Sequence, residues 1–277
     1  MSLAREATGE AGRRASGGAA ITYLEAGRGE PLVLLHGIGS AARSFCDQLD
    51  GLSACWRVIA WDAPGYGAST ALSSEAPSAD DYAARLAAFL DDLGIEACHL
   101  LGHSLGCLMA ARFAVRHPER VRSLSLCSVA AGHGLLPAGE CRRLLDQRVN
   151  DVATLGPAEM ARRRGPRLVA PGAAPAILQR VVDIMASVRP DGYAQAARML
   201  SRADIKADIV RLPADLPVQI VYGDADVVTP PAKNREVAAL RPGARVTVIP
   251  NAGHALYLEQ PQAFNSIVAE FLATARS

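Results

Sequence analysis

In "LLGHSLGCLMAA", residues 100–111, a serine stands between two glycines where an apolar run gives way to helix-compatible sequence. The G-x-S-x-G pattern of Gly102, Ser104 and Gly106 suits a sharp strand-to-helix turn that projects the serine Oγ, because a Cβ at either flanking position would crowd the turn. A serine hydroxyl is a weak nucleophile until a base takes its proton. The chemistry therefore needs a histidine within hydrogen-bond reach and an acid that sets the histidine's tautomer. The chain has 6 histidines. His36 (glycine turn), His99 (strand), His103 (before the serine), His117 (helix end) and His133 (after a strand) read as structural. His254 differs: it sits in "NAGHALYLEQP", past a late strand, and follows both the serine and an acid candidate. That acid is Asp226 in "VYGDAD", preferred to Asp224, which could cap the same turn. A developing oxyanion needs preorganised donors, and two backbone N–H groups suffice. The expected donors are Leu105, at the unpaired start of the helix after the serine, and Ile38 in the glycine loop "HGIGS".

These residues need a scaffold that mounts them at neighbouring strand ends. From residue 20 onward, short apolar runs alternate with helix-length segments. "AITYLEA", "PLVLLHG", "RVIAWDAPG", "CHLLGHS" and "VRSLSLCSVA" read as strands. "SADDYAARLAAFLDDLG" reads as a helix with a Ser-x-x-Asp start and a terminal glycine. The alternation implies an α/β fold with parallel pairing and right-handed crossovers, whose ligands sit beyond the carboxyl ends of the strands. It breaks at residue 133 and resumes at "PVQIVYGDAD". The expected organisation is a flexible N-terminus over residues 1–18, an α/β core over 19–132 and 213–277, and a helical cap over 133–212. The cap carries 13 Lys and Arg against 8 Asp and Glu, while the rest of the chain carries 16 against 20. A solvated helical surface explains that asymmetry; a basic lid favouring an anionic substrate is the sharper alternative. Phe45, Leu135, Met160, Met185 and Tyr193 are candidates for the pocket wall, and each serves equally as cap or core packing.

With these motifs assembled, the sequence resembles the α/β-hydrolase superfamily from about residue 20 to 275. "LVLLHGIGS" matches the oxyanion loop, "WDAPGYGAS" a structural turn, "LLGHSLG" the nucleophile elbow, "VYGDADVVTP" the acid turn and "IPNAGHALYLEQP" the histidine loop. The pattern looks like that of small esterases and lactonases, including 3-oxoadipate enol-lactonase-like hydrolases. The resemblance implies a mostly parallel eight-stranded sheet flanked by helices, with the cap inserted after the sixth strand. It also implies hydrolysis of a small carboxylic ester or lactone through an acyl-enzyme, with Ser104, His254 and Asp226 as the triad. Relatives with an aspartate nucleophile are disfavoured by Ser104, and the Gly-Pro-Gly oxyanion sequence typical of carbon–carbon bond hydrolases is missing from "HGIGSAARSF". Carbon–carbon bond hydrolysis, cofactor-free haloperoxidase activity and a role as a small-molecule receptor on the same fold remain the alternatives. Cys107 departs from the family, standing where many relatives carry a further glycine and demanding more space against the sheet.

Composition bounds the partners. A formal net charge of +1 gives no reason to expect nucleic acid. No run approaches the roughly 18 apolar residues of a membrane span, and the first 20 residues lack an apolar signal core. The expected setting is cytoplasmic, with no membrane association. No metal or organic cofactor is implied. The 6 cysteines have no CxxC pairing and read as buried, reduced thiols.

Overall fold

A computed structural model describes residues 10–16 and 19–275. Eight strands form one sheet: β1 (Glu10–Ser16), β2 (Ala19–Ala26), β3 (Pro31–Leu35), β4 (Arg57–Trp61), β5 (Cys98–His103), β6 (Val121–Cys127), β7 (Val218–Gly223) and β8 (Arg245–Ile249). Their order is β1-β2-β4-β3-β5-β6-β7-β8. The first two junctions, β1 with β2 and β2 with β4, are antiparallel; the five joining β4 through β8 are parallel. The helices are α1 (Cys46–Leu52), α2 (Ala79–Asp92), α3 (Leu105–Arg116), α4 (Ala138–Asn150), α5 (Gly156–Arg164), α6 (Pro175–Ala186), α7 (Pro190–Arg202), α8 (Ile205–Ile209), α9 (Pro231–Ala239), α10 (Leu256–Glu259) and α11 (Pro261–Thr274).

The near-continuous apolar runs of the middle strands have a direct cause. β5 and β7 are buried at every residue, because helices cover both faces of the sheet and leave no solvated side to alternate toward. Val33, Leu35, Ile59 and Trp61 pack with Tyr82, Leu86 and Phe89 of α2 and with Leu108 and Met109 of α3. Leu32, Leu34, Val58 and Ala60 pack on the other face with Leu49 of α1 and with Phe264, Val268 and Leu272 of α11. The Ser-x-x-Asp start of α2 forms a full capping box: the Ser78 N–H donates to Asp81 Oδ2 at 2.7 Å, and the Asp81 N–H donates back to Ser78 Oγ at 3.4 Å.

One departure from the sequence reading concerns the sheet. Residues 10–16 were expected within a flexible N-terminus, yet they form edge strand β1, paired antiparallel with β2 from Glu10↔Glu25 to Ser16↔Ala19. "EAGRRAS" has no apolar alternation to betray it; the pairing is carried by backbone groups, which every residue type supplies. The rest of that expectation, residues 1–9 and 17–18, lies outside the described residues. The strands "AITYLEA" and "PLVLLHG" are consecutive but not neighbours, since β4 lies between them.

Between β6 and β7 the chain leaves the sheet and builds a helical cap from α4 to α8, with a π-helical turn over Asp151–Leu155 joining α4 to α5. Salt bridges from Arg180 on α6 to Asp47 on α1 and from Arg112 on α3 to Asp208 on α8 fasten the cap to the core.

The strand order reverses at β3, which pairs with β4 on one side and β5 on the other. A reversal of this kind opens a crevice at the strand ends. Here it lies between the loop after β3 and the turn after β5, whose strands are in register at Leu35↔Gly102. The closeness of these elements depends on two glycines. A Cβ on Gly106 would meet the carbonyl of Leu35, and one on Gly102 would lie 2.5 Å from the Gly106 carbonyl carbon and 2.6 Å from the Cys107 nitrogen. Gly106→Ala should therefore lower stability by about 1–3 kcal/mol through overpacking, read as a drop in urea midpoint. Gly139→Ala on α4, where a Cβ meets nothing within 4 Å, should leave the midpoint unchanged or raise it.

Candidate active site

Ser104 occupies the turn between β5 and α3 with φ 52° and ψ −113°. A non-glycine residue adopts this conformation only when its surroundings hold it there, and such strain collects at functional positions. The hold comes from β6: the Ser104 N–H donates to Cys127 O at 2.9 Å. Cys107 fits beneath the turn rather than disturbing it. Its thiol is fully buried and donates to Gly102 O at 3.1 Å, and burial pushes its pKa up to about 12, so it stays a neutral packing group.

Leu105 is the first residue of α3, and Ile38 lies in the loop after β3. Among the described residues neither N–H has a protein acceptor. The Ile38 carbonyl is fixed by the Tyr66 hydroxyl, which donates to it at 2.8 Å. Both residues, with Ser104 and His254, line one cavity of about 700 Å³ under the cap.

His254 follows β8, and Asp226 follows β7. His254 Nδ1 lies 2.9 Å from Asp226 Oδ2, a geometry in which Nδ1–H donates to the carboxylate and Nε2 keeps its lone pair. Asp226 is buried and receives three further donors. The N–H groups of Val228 and Thr229 each donate to Oδ1 at 2.8 Å, and the Thr229 hydroxyl donates to Oδ2 at 2.7 Å. Burial alone would raise this carboxyl's pKa, but the hydrogen bond and charge of His254 and the Thr229 bonds outweigh it and hold the group well below the usual carboxylate range. Asp224 is exposed at the same turn. Asn234 anchors the turn to the end of β6, donating to Thr229 O at 2.7 Å and accepting from the Val129 N–H at 2.9 Å.

The remaining histidines separate from this group. His36 Nδ1 lies 2.8 Å from Gly37 O, and its Nε2 accepts from the Ala63 N–H at 3.0 Å. His99 pairs with Ser123 Oγ at 2.8 Å. His103 lines the cavity and does more than fill space: its Nε2–H donates to the backbone carbonyl of His254 at 2.8 Å. Burial, then the neighbouring His254, push the His103 pKa down to about 3, so this ring remains neutral beside His254.

Sequence reasoning missed Thr229, Tyr66 and Glu259. Glu259 accepts from the Gly253 N–H at 2.9 Å and from the Ala170 N–H of the cap at 2.7 Å, while the Ala255 N–H donates to Leu168 O at 2.7 Å. The His254 loop is thus clamped on both sides of the histidine. The five candidates for the pocket wall divide. Met160, Met185 and Tyr193 line the cavity, Phe45 is core, and Leu135 is 72% exposed and does neither. Of the cysteines, Cys46, Cys98, Cys107 and Cys127 are buried, but Cys141 is half-buried, and Cys55, just past the end of α1, is exposed. Among the described residues no group of three or more His, Cys, Asp or Glu could hold a metal ion, and no helix is long and apolar enough to cross a membrane.

The family model described as "Alpha/beta hydrolase family" matches residues 32–267. The chain belongs to the alpha/beta hydrolase family. It is 31% identical over 281 residues to the dihydrolipoyllysine-residue acetyltransferase component of the acetoin cleaving system of Pseudomonas putida, covering 97% of this chain and 71% of that one. The structure of a thermophilic esterase from Thermogutta terrifontis with malate bound is similar with a TM-score of 0.87 at 25% identity, covering 97% of this chain and 100% of that one. The enol-lactonase from Burkholderia xenovorans LB400 gives a TM-score of 0.85 at 25% identity, over 95% of this chain and 100% of that one.

The depressed pKa of Asp226 has a consequence for this alpha/beta hydrolase. A carboxyl that titrates lower in the folded chain than in the unfolded one, where its pKa is about 4, stabilises the fold fully above that value. The contribution is lost as the pH falls from there toward the folded value. Asp226→Asn should therefore lower the urea midpoint at pH 7, and the gap between wild type and variant should narrow as the pH drops below about 4.

Proposed function

We propose that the protein cleaves a small carboxylic ester or lactone by acyl transfer, with Ser104 as nucleophile, His254 as general base and then acid, and Asp226 as the group that orients His254. The observation that carries this reading is the His254 Nδ1 contact of 2.9 Å to the buried Asp226, with His254 and Ser104 in the wall of the same cavity. That contact leaves Nε2 as the basic nitrogen. The names of the esterase and enol-lactonase relatives support the same reaction class.

In the first half-reaction Ser104 Oγ attacks the carbonyl carbon as His254 Nε2 takes its proton, and the charge that develops on the carbonyl oxygen is held by the N–H groups of Ile38 and Leu105. Collapse expels the alkoxide, which leaves with the proton from His254. In the second half, His254 deprotonates a water that attacks the acyl-serine, and the acid departs while Ser104 regains its proton. For a lactone the leaving alkoxide stays tethered to the acyl group, so one hydroxy acid is released. These steps call on no metal or organic cofactor. The neutral His103 fits the scheme, because a second cation beside His254 would lower the basicity of Nε2. We further propose a cytoplasmic setting, supported by Cys46, Cys98, Cys107 and Cys127, which are buried free thiols.

Ser104→Ala should reduce kcat on p-nitrophenyl butyrate by about 10⁴-fold or more, and mass spectrometry of quenched wild-type enzyme should find a butyryl adduct on the peptide containing Ser104. Retained turnover in the purified variant would overturn the assignment.

A further inference from the structure

The cavity is much larger than the reacting centre requires, and its far wall carries charge. Leu144, Gln147, Arg148, Asp151 and Leu155 all line it. Their spacing of three or four residues puts them on one face of α4 and the π-helical turn that follows. No residue of α4 is buried, so this face lies open to the cavity instead of being packed shut. π-Helical turns are rare and are frequent at functional sites.

Arg148 is the cation on this face. It is half-buried, and among the described residues its guanidinium makes one hydrogen bond, a long one of 3.5 Å from Nη1 to the buried Tyr193 hydroxyl. Among the described residues no carboxylate lies within ion-pair distance of it; of the other cations in the cavity wall Arg163, Arg164 and Lys233 are paired with carboxylates, and Arg167 is exposed to solvent. Asp151, nearly one turn further along the chain, is held by Arg164 at 2.8 Å. Arg163 and Lys233, also in the cavity wall, are engaged by Glu159 at 2.8 Å and Glu236 at 3.1 Å. The field of Arg148 reaches across the wall: burial first, and then this guanidinium, lower the pKa of His133. A half-buried guanidinium without an anion carries a desolvation cost that a bound carboxylate would offset, and its planar fork of donors matches one carboxylate in two parallel hydrogen bonds.

We propose that Arg148 forms an anion subsite, and that the ester or lactone cleaved here carries a free carboxylate on the part of the molecule that extends from Ser104 toward α4. This rests on the reading of Ser104 as nucleophile. A small carboxylate fits better than a phosphoryl dianion, because Arg148 is the single half-buried cation of the wall without a carboxylate partner among the described residues. The basic excess of the cap is in this view mostly solvated or paired surface, with one half-buried, carboxylate-free arginine in the cavity wall that selects substrate.

The test compares the mono-p-nitrophenyl ester of adipic acid with p-nitrophenyl hexanoate, which has the same chain length and no charge. Wild-type kcat/KM should favour the adipate ester by about tenfold or more, and Arg148→Gln should cut that ratio by about tenfold, mainly through KM, since a remote contact is made in the ground state and transition state alike. Arg148→Lys should restore part of the ratio. If Arg148→Gln does not fold, competitive inhibition of the wild type decides: adipate should inhibit more strongly than hexanoate. An unchanged ratio in Arg148→Gln, or a wild type that hydrolyses the hexanoate without preferring the adipate ester, overturns the anion subsite and leaves the proposed function standing. A wild type that hydrolyses neither ester overturns both.

Discussion

The structure turns on the approach of helix α3 to strand β3, where Gly106 lies against the Leu35 carbonyl with no room for a side chain. That approach sets two backbone segments side by side, the loop after β3 and the first turn of α3. It thereby brings the N–H groups of Ile38 and Leu105 to one cavity wall with Ser104 between strand and helix. The donors belong to the main chain, so their placement is as rigid as the packing of a buried strand against a buried helix. A fixed array of dipoles need not reorganise as charge develops on a substrate oxygen, which is the chief physical advantage of mounting it this way.

The other half of the site adds side-chain hydrogen bonding to close packing. Asp226 and His254 stand on loops past β7 and β8, where Gly223 lies against the backbone of Ala252 and Gly253 against that of Val169 and Ala170, and hydrogen bonds fix the two side chains. Four donors converge on the Asp226 carboxylate, Asn234 ties its turn to β6, His103 holds the His254 carbonyl, and Glu259 secures the peptide before His254. Each bond contributes modestly by itself. Their combined effect is to leave the imidazole one orientation and one tautomer. A buried carboxylate satisfied this completely also stays ionised despite its burial, so the low-dielectric surroundings that would ordinarily protonate it instead strengthen its hold on the histidine.

The same contrast explains what could be read from the sequence. The placement of Ser104, Ile38, Leu105, Asp226 and His254 just beyond strand ends was legible because an apolar run ending in glycine-rich sequence marks such a place by pattern alone. The parallel core was legible for the same reason, its middle strands being mostly apolar and buried. Edge strand β1 was not, since "EAGRRAS" has no apolar alternation and its pairing is made by main-chain groups common to every sequence. Thr229 and Glu259 were not, since a threonine or glutamate in a loop looks the same whether it faces water or a catalytic partner. His103 was read as structural; its bond to the His254 carbonyl spans 151 positions, a distance no local pattern bridges. The cap was the least legible region: its charge excess was countable, but the facing of each arginine depends on helix packing.

How the cap is attached decides which parts of it can vary. The segment around residues 168–170 is bonded to the His254 loop through Ala255 N–H and Glu259, α6 is anchored to α1 by Arg180 and Asp47, and Gln195 of α7 donates to Leu72 O and Ser74 O of the core at 2.7 Å each. Movement or substitution at any of these places is transmitted to His254 or to the core. Helix α4 is held differently. Its bonds to the rest of the cap run to α7, through the Cys141 thiol on Ser201 O and through Arg148 on the Tyr193 hydroxyl, and it buries no residue of its own. It is therefore the wall of the cavity whose side chains can change with the least disturbance of Ser104, His254 or the sheet. A fold that keeps one reaction while altering what it cleaves needs such a surface, rigidly placed yet not structurally committed, and in this protein it is the face that carries Arg148.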